Sequence, residues 1–238
     1  MTHWAYCEDI GSDSAVVTES EAHHLLHVLR VETGYELTLF DGNGIEAAVI
    51  VTATTRRDVS CRIVSRKRHE RRSGSRLTMI VAPPKADRLK WMVEKLTEVG
   101  VDQLVLLQTQ RTIVTPSETR IDKLKGNVVA ACKQSRRPFL MELLPLQKFE
   151  SVLEELQTQS DDHATFIAHP SDQTVDPSGL LKAGQSVSVL VGPEGGFTDD
   201  EVQRGLSAGA TPVSWPNGIL RIETAAIVFA SLLMPHTC

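Results

Sequence analysis

Residues 190–201 read Leu-Val-Gly-Pro-Glu-Gly-Gly-Phe-Thr-Asp-Asp-Glu: an apolar strand end, a loop holding Gly192, Gly195 and Gly196 beside Pro193 and the Glu194 carboxylate, then a helix start. Thr198 with Glu201 three residues on has the form of a capping box. Glycines at such a loop let backbone N–H and C=O groups approach a ligand that side chains would hold off. A second loop of the same kind follows at residues 215–226, Trp-Pro-Asn-Gly-Ile-Leu-Arg-Ile-Glu-Thr-Ala-Ala. Two such loops at the ends of neighbouring strands predict one small-molecule pocket built mostly from main chain. The first loop matches neither G-x-G-x-x-G nor G-x-x-x-x-G-K-[ST], and it lacks the lysine that nucleoside triphosphates require. Amides beside apolar Ile219 and Leu220 suit a neutral or cationic adenosine-type ligand. The same glycines also suit a tight strand–helix turn with no ligand.

Other reactive side chains are sparse. His23 and His27 are spaced i,i+4, but no carboxylate or cysteine completes a set at metal-site spacing, so no metal is expected. Cys7, Cys61, Cys132 and Cys238 form no CxxC pair and read as reduced thiols. The amino terminus has no basic stretch followed by an apolar one, and no apolar run is long enough to cross a bilayer. The expectation is a soluble, cytoplasmic protein. The net charge of −5 is unevenly spread: residues 56–76 carry nine Lys/Arg against Asp58 and Glu70, while residues 1–55 are acidic apart from Arg30. Such a concentration of positive charge suits nucleic-acid phosphates, and equally a solvated hinge.

The elements that must carry these residues fall into two groups. Residues 36–40, 45–53 and 59–64 have strand character around an Asp41-Gly42-Asn43-Gly44 turn, after a short helix at 19–29. Residues 65–75 read as a polar, basic linker. Beyond it, strands at 77–82, 104–107, 164–168 and 187–191 alternate with helices at 87–99, 120–136, 151–159, 198–208 and 223–233. That alternation predicts an α/β unit with a parallel sheet covered on both faces, ligands binding at the carboxyl ends of its strands. The division expected is 1–72 and 73–238.

Val191-Gly192-Pro193-Glu194-Gly195-Gly196 followed by Gly218-Ile219-Leu220-Arg221-Ile222-Glu223-Thr224-Ala225 resembles the RsmE family, the small-subunit ribosomal RNA (uracil-N3)-methyltransferases of the SPOUT class. Residues 85–101, the Ala131-Cys132-Lys133-Gln134-Ser135-Arg136-Arg137 segment, and residues 24–30 with Phe40-Asp41-Gly42 are similar to further parts of that family. The likeness runs over almost the whole chain.

The resemblance implies a PUA-like RNA-binding β-barrel followed by a SPOUT domain with a deep trefoil knot, and a homodimer. It implies S-adenosylmethionine held by Ala168, His169, Gly192, Pro193, Glu194, Gly195, Gly196, Ile219, Leu220 and Thr224. The substrate would be small-subunit ribosomal RNA or the assembled subunit. Arg30, Arg66, Arg68, Lys85, Arg88, Arg136 and Arg137 would bind that RNA. The chain departs from the family pattern at Trp215-Pro216-Asn217-Gly218, where Leu-Gly-x-Arg is usual, and at Lys133, where an acidic residue is common. Uridine N3 carries an imide proton, so its methylation needs that proton removed or the resulting anion stabilised. Arg221 is the candidate for anion stabilisation, its alternative role being an ion pair with Glu223 or Glu194. Glu223 is the candidate base or orienting group, its alternative being a helix-terminal carboxylate favoured by the dipole. Trp91 reads as packing. Two rival functions remain: a SPOUT methyltransferase acting on another RNA position or atom, and a non-catalytic RNA-binding assembly protein.

Overall fold

The strand character of residues 36–40, 45–53 and 59–64 folds as it reads. The computed structural model describes residues 2–71, 75–160, 162–170, 181–182 and 184–234, with Ala86 described by its backbone alone. Cys238 and the division point between residues 72 and 73 lie outside the described residues. The chain forms two compact units, residues 1–71 with 129–140, and residues 72–128 with 141–238.

In the first unit, β1 (His3–Tyr6), β2 (Ser14–Val17), β3 (Glu36–Phe40), β4 (Ile45–Thr54) and β5 (Val59–Arg68) make one sheet in the order β1-β3-β4-β5-β2. The β1–β3 pair is parallel and the others antiparallel. All five strands contribute to one core, with Ala5, Val17, Leu39, Val51 and Cys61 each at most 1% exposed. The helix expected at 19–29 is α1 (Glu19–His23), which widens into a π-helical turn over His24–Val28. The basic stretch 65–68 is strand rather than linker: Ile45–Ala48 offers it a ladder, so Ser65 to Arg68 continue β5 with exposed, solvated side chains.

The turn between β3 and β4 depends on its glycines. Asp41 Oδ1 accepts from the N–H groups of Asn43 and Ile45 at 2.7 and 2.8 Å. Residues 138–140 pack on this turn, the Gly44 N–H donating to the Pro138 carbonyl and the Leu140 N–H to the Gly42 carbonyl. Gly44 has φ +100°, and a Cβ there would lie 2.7 Å from the His69 carbonyl oxygen. Lys133 adds no free charge, because its Nζ is 2.7 Å from Glu21 Oε1 in a mostly buried pair.

The second unit holds β6 (Leu77–Val81), α2 (Ala86–Val99), β7 (Gln103–Gln108), α3 (Glu118–Ser135, from residue 129 on grouped with the first unit), β8 (Glu142–Lys148), α4 (Phe149–Gln157), β9 (His163–Ala168), β10 (Ser186–Val191), α5 (Asp199–Ser207), β11 (Thr211–Val213) and α6 (Ile222–Leu232). The six strands run in the order β11-β9-β10-β6-β7-β8, every pair parallel. Central β6 and β10 are near-continuous apolar runs, as a strand covered on both faces requires. The expected α/β parallel sheet, preceded in the chain by a smaller β-rich unit, is therefore present. Four strands lack a clear sequence signal: β1, β2, β8, which carries Pro145, and the three-residue β11. Trp91 is 45% exposed on α2, so the packing role expected for it is corrected: its helix buries Leu89, Met92, Val93 and Leu96 instead.

Two outcomes test this account. Gly44→Ala should lower stability by about 2 kcal/mol or more, from a left-handed backbone and a clash with backbone; urea unfolding measures it, and a loss below about 0.5 kcal/mol would show that the turn relaxes. Burial lowers the His163 pKa below its ordinary 6.5, and its Nε2 sits 2.9 Å from Ser188 Oγ. The unfolded chain then binds the proton more readily, so this contribution to stability is present above about pH 6.5 and is lost as pH falls below it. His163→Gln should flatten the acid-side slope of Tm against pH.

Candidate active site

Because all six strands of the second unit point one way, their carboxyl ends open onto one edge of the sheet. A cavity of about 740 Å³ lies there, walled by the loops that follow β9, β10 and β11 and by Arg111 beyond β7. Its lining includes Ala168, His169, Gly192, Pro193, Glu194, Gly195, Gly196, Ile219, Leu220 and Arg221. The structure thus brings together nine of the ten residues expected at the cofactor, and Arg221 with them. Thr224 does not line the cavity.

The glycine loop owes its shape to two demands. Gly196 has φ +69°, a left-handed backbone that L side chains rarely adopt. Gly192 leaves little room for a side chain: a Cβ there would lie 3.0 Å from the Phe197 ring and 3.2 Å from the Phe197 amide nitrogen. Phe197 itself packs on Phe149 with ring centroids 5.8 Å apart, so the loop is pinned to the core immediately after its last glycine. Gly192 thus packs tightly against Phe197 while it lines the cavity.

The helix that follows is capped as expected. Thr198 Oγ1 accepts from the Glu201 N–H, and Glu201 Oε2 accepts from the Thr198 N–H at 2.8 Å. Glu201 also reaches across the sheet edge, its Oε1 accepting from the Gln110 N–H at 2.8 Å. Next to it, Arg111 Nη1 donates to the carbonyls of Gly195 at 2.7 Å and Phe197 at 3.2 Å. Arg111 escaped the sequence reading. The available signal was its place, three residues past the end of β7, on the edge where strand-ending loops gather.

Arg221 is the N-cap residue of α6, with an exposed side chain in the cavity wall. Among the described residues no ion pair joins it to Glu223 or Glu194. Glu223 lies in the first turn of α6 but does not line the cavity; it is 6% exposed, and its Oε1 is 3.5 Å from Arg88 Nε. Its Oε2 is buried without a hydrogen-bond partner among the described residues. Arg88, expected at RNA, is thus anchored through Nε with a side chain 42% exposed. Lys85 is exposed at the N-cap of α2.

The other expected RNA-binding residues belong to the first unit. Arg66 and Arg68 are exposed on β5, Arg66 Nη1 donating to the Gly11 carbonyl at 3.3 Å. Arg30 and Arg136 are exposed and take left-handed backbones, φ 52° and 56°, just past helical ends. Arg137 is half-buried after α3, its N–H donating to the Cys132 carbonyl. Cys7, Cys61 and Cys132 are buried free thiols, and burial pushes Cys61 up to about 11.

Comparison with known proteins agrees with this geometry. A family model described as an RNA methyltransferase domain matches residues 71–234, and one described as an RNA methyltransferase PUA domain matches residues 17–64. The chain is 25% identical over 236 residues to Ribosomal RNA small subunit methyltransferase E of Bacillus subtilis, covering 93% of this chain and 90% of that protein. It is 27% identical to the protein of the same name from Aquifex aeolicus, covering 98% and 99% of the two chains. A crystal structure of Ribosomal RNA small subunit methyltransferase E from Neisseria gonorrhoeae, bound to S-adenosyl methionine, is 25% identical, with a TM-score of 0.84 over 98% of this chain and 96% of that one.

Arg88→Met should cost about 1–3 kcal/mol in urea unfolding, because the buried Glu223 carboxylate loses its countercharge. The double variant Arg88→Met/Glu223→Gln should recover part of that loss; failure to recover any would show that the pair is not coupled.

Proposed function

We infer the activity from the family: the chain belongs to the RNA methyltransferase domain family, and we propose that it methylates N3 of one uridine in small-subunit ribosomal RNA, using S-adenosylmethionine. The observation that carries this reading is the cavity at the carboxyl edge of the parallel sheet, walled by three strand-ending loops and about 740 Å³ in volume. That volume and mixed lining fall in the range of small-molecule sites. The donor set fits the cofactor: backbone amides for an adenosine, apolar Ile219 and Leu220 for its ring, and no lysine that would select a triphosphate.

S-adenosylmethionine supplies an electrophilic methyl group on a sulfonium. A C–N bond forms at uridine N3 as the C–S bond breaks, and the N3 proton leaves to solvent or to a base. Arg221, exposed in the cavity wall, is placed to stabilise the negative charge that the uracil oxygens then carry. Glu223 lies outside the cavity lining and beside Arg88, which favours an orienting role over that of general base.

RNA phosphates are assigned to Lys85 and Arg88 in the second unit and to Arg30, Arg66, Arg68, Arg136 and Arg137 in the first. The left-handed backbones of Arg30 and Arg136 support this, since a glycine or asparagine would sit there with less strain. The same reading assigns RNA binding to residues 1–72 and methyl transfer to 73–238, with the chain knotted near its end, as the return of α6 onto α2, β6 and β10 supports. It also takes the protein to be a cytoplasmic homodimer through the second unit, where Trp91, Ile113 and Ile219 are exposed. No helix among the described residues is long and apolar enough to cross a membrane.

Mass spectrometry of small-subunit RNA nucleosides from a deletion strain tests the assignment. N3-methyluridine should disappear and return with the wild-type gene; its persistence sinks the assignment. Arg221→Ala should lower turnover about 100-fold or more while S-adenosylmethionine affinity stays within about twofold. An unchanged rate removes Arg221 from the chemistry.

A further inference from the structure

Arg111 joins the turn after β7 to the 192–197 loop, beside the Gln110–Glu201 bond that ties the same turn to the start of α5. It sits on a turn made rigid from within: the Thr109 N–H donates to Thr112 Oγ1 at 2.9 Å, the Thr112 N–H donates to the Thr109 carbonyl at 3.2 Å, and the two hydroxyls lie 3.0 Å apart. Thr109 is 6% exposed, and the turn follows directly from buried β7. From this base one guanidinium nitrogen takes the carbonyls of both Gly195 and Phe197. The Pro193 carbonyl is taken as well, by the Gly196 N–H at 2.8 Å. Three of the loop's acceptors are thereby satisfied within the protein. The Arg111 stem runs alongside Gly195, where a Cβ would be 3.4 Å from its Cδ.

We propose that Arg111 is a positioning residue for the cofactor: it fixes the 192–197 loop in the shape whose backbone binds S-adenosylmethionine. This rests on the methyltransferase reading given above. A main-chain binding site has no rotamers to adjust, so its affinity depends on how well the backbone is held before the ligand arrives. Gly192, Gly195 and Gly196 give the loop the freedom to approach a ligand, and the same freedom must be removed for tight binding. Here one guanidinium nitrogen holds both carbonyls at the end of a stem that packs along Gly195.

Calorimetric titration of the full chain with S-adenosylmethionine tests the idea. Arg111→Ala should weaken binding about tenfold or more, with Arg111→Lys between it and the wild type. In steady-state assays the KM for S-adenosylmethionine should rise while kcat at saturation stays within about twofold. Guanidinium ion, added below denaturing concentration, should restore part of the lost affinity to Arg111→Ala and do nothing for the wild type. The proposal is overturned if Arg111→Ala binds the cofactor as the wild type does. It is also overturned if affinity falls only together with Tm and guanidinium restores neither. A wild-type protein that binds no S-adenosylmethionine overturns instead the activity on which the inference rests.

Discussion

The buried carboxylate of Glu201 is the constraint around which the ligand edge of the second unit is arranged. At 5% exposure it must have partners, and it takes them from two places far apart in the chain: the cap residue Thr198 and the amide of Gln110. Leaving either side unmet would strand a buried charge, which is costly enough to fix the geometry. The start of α5 and the turn after β7 therefore cannot move independently. The glycine loop lies between these fixed points, pinned at its far end by Phe197 against Phe149. A loop that could adopt many shapes is left with one.

The direction of the strands then decides where chemistry can happen. Parallel pairing throughout the sheet collects the loops after β7, β9, β10 and β11 at the same edge. Glu201 and Glu223 are buried and committed to partners within the protein, whereas Arg221 is exposed in the cavity wall. Arg221 thus offers a positive charge in a wall that also carries the exposed carboxylates of Glu194 and Asp199.

Much of this was legible in the residues. The capping box at Thr198 and Glu201, the two glycine-bearing loops and the apolar runs of β6 and β10 each announce themselves locally, because capping, turn conformation and full burial leave marks in a few consecutive positions. What was hidden is long-range. Nothing near Gln110 or Arg111 signals that their partners lie more than eighty residues away. The Glu223–Arg88 pair is hidden for the same reason: it joins α6 to α2, and the nearer Arg221 looked the better partner. Edge strands β1, β2 and β11 are too short for periodicity to register. The basic stretch 65–68 misled because composition described its solvated side chains while the ladder to β4 depends only on backbone.

The grouping of residues 129–140 with residues 1–71 bears on the order in which a ribosome releases the chain. The Gly42–Gly44 turn bonds to Pro138 and Leu140, and Glu21 pairs with Lys133. When residue 71 has been synthesised, the five strands of the first sheet are complete, but the turn has no cover and Glu21 no cation. Almost seventy further residues must emerge first, including β6, α2 and β7 of the other unit. Domains commonly finish in order of synthesis, amino-terminal first. Here the first to begin is not free to finish first, and its nascent form carries an open glycine turn and an unpaired carboxylate that a chaperone or the ribosome surface can meet.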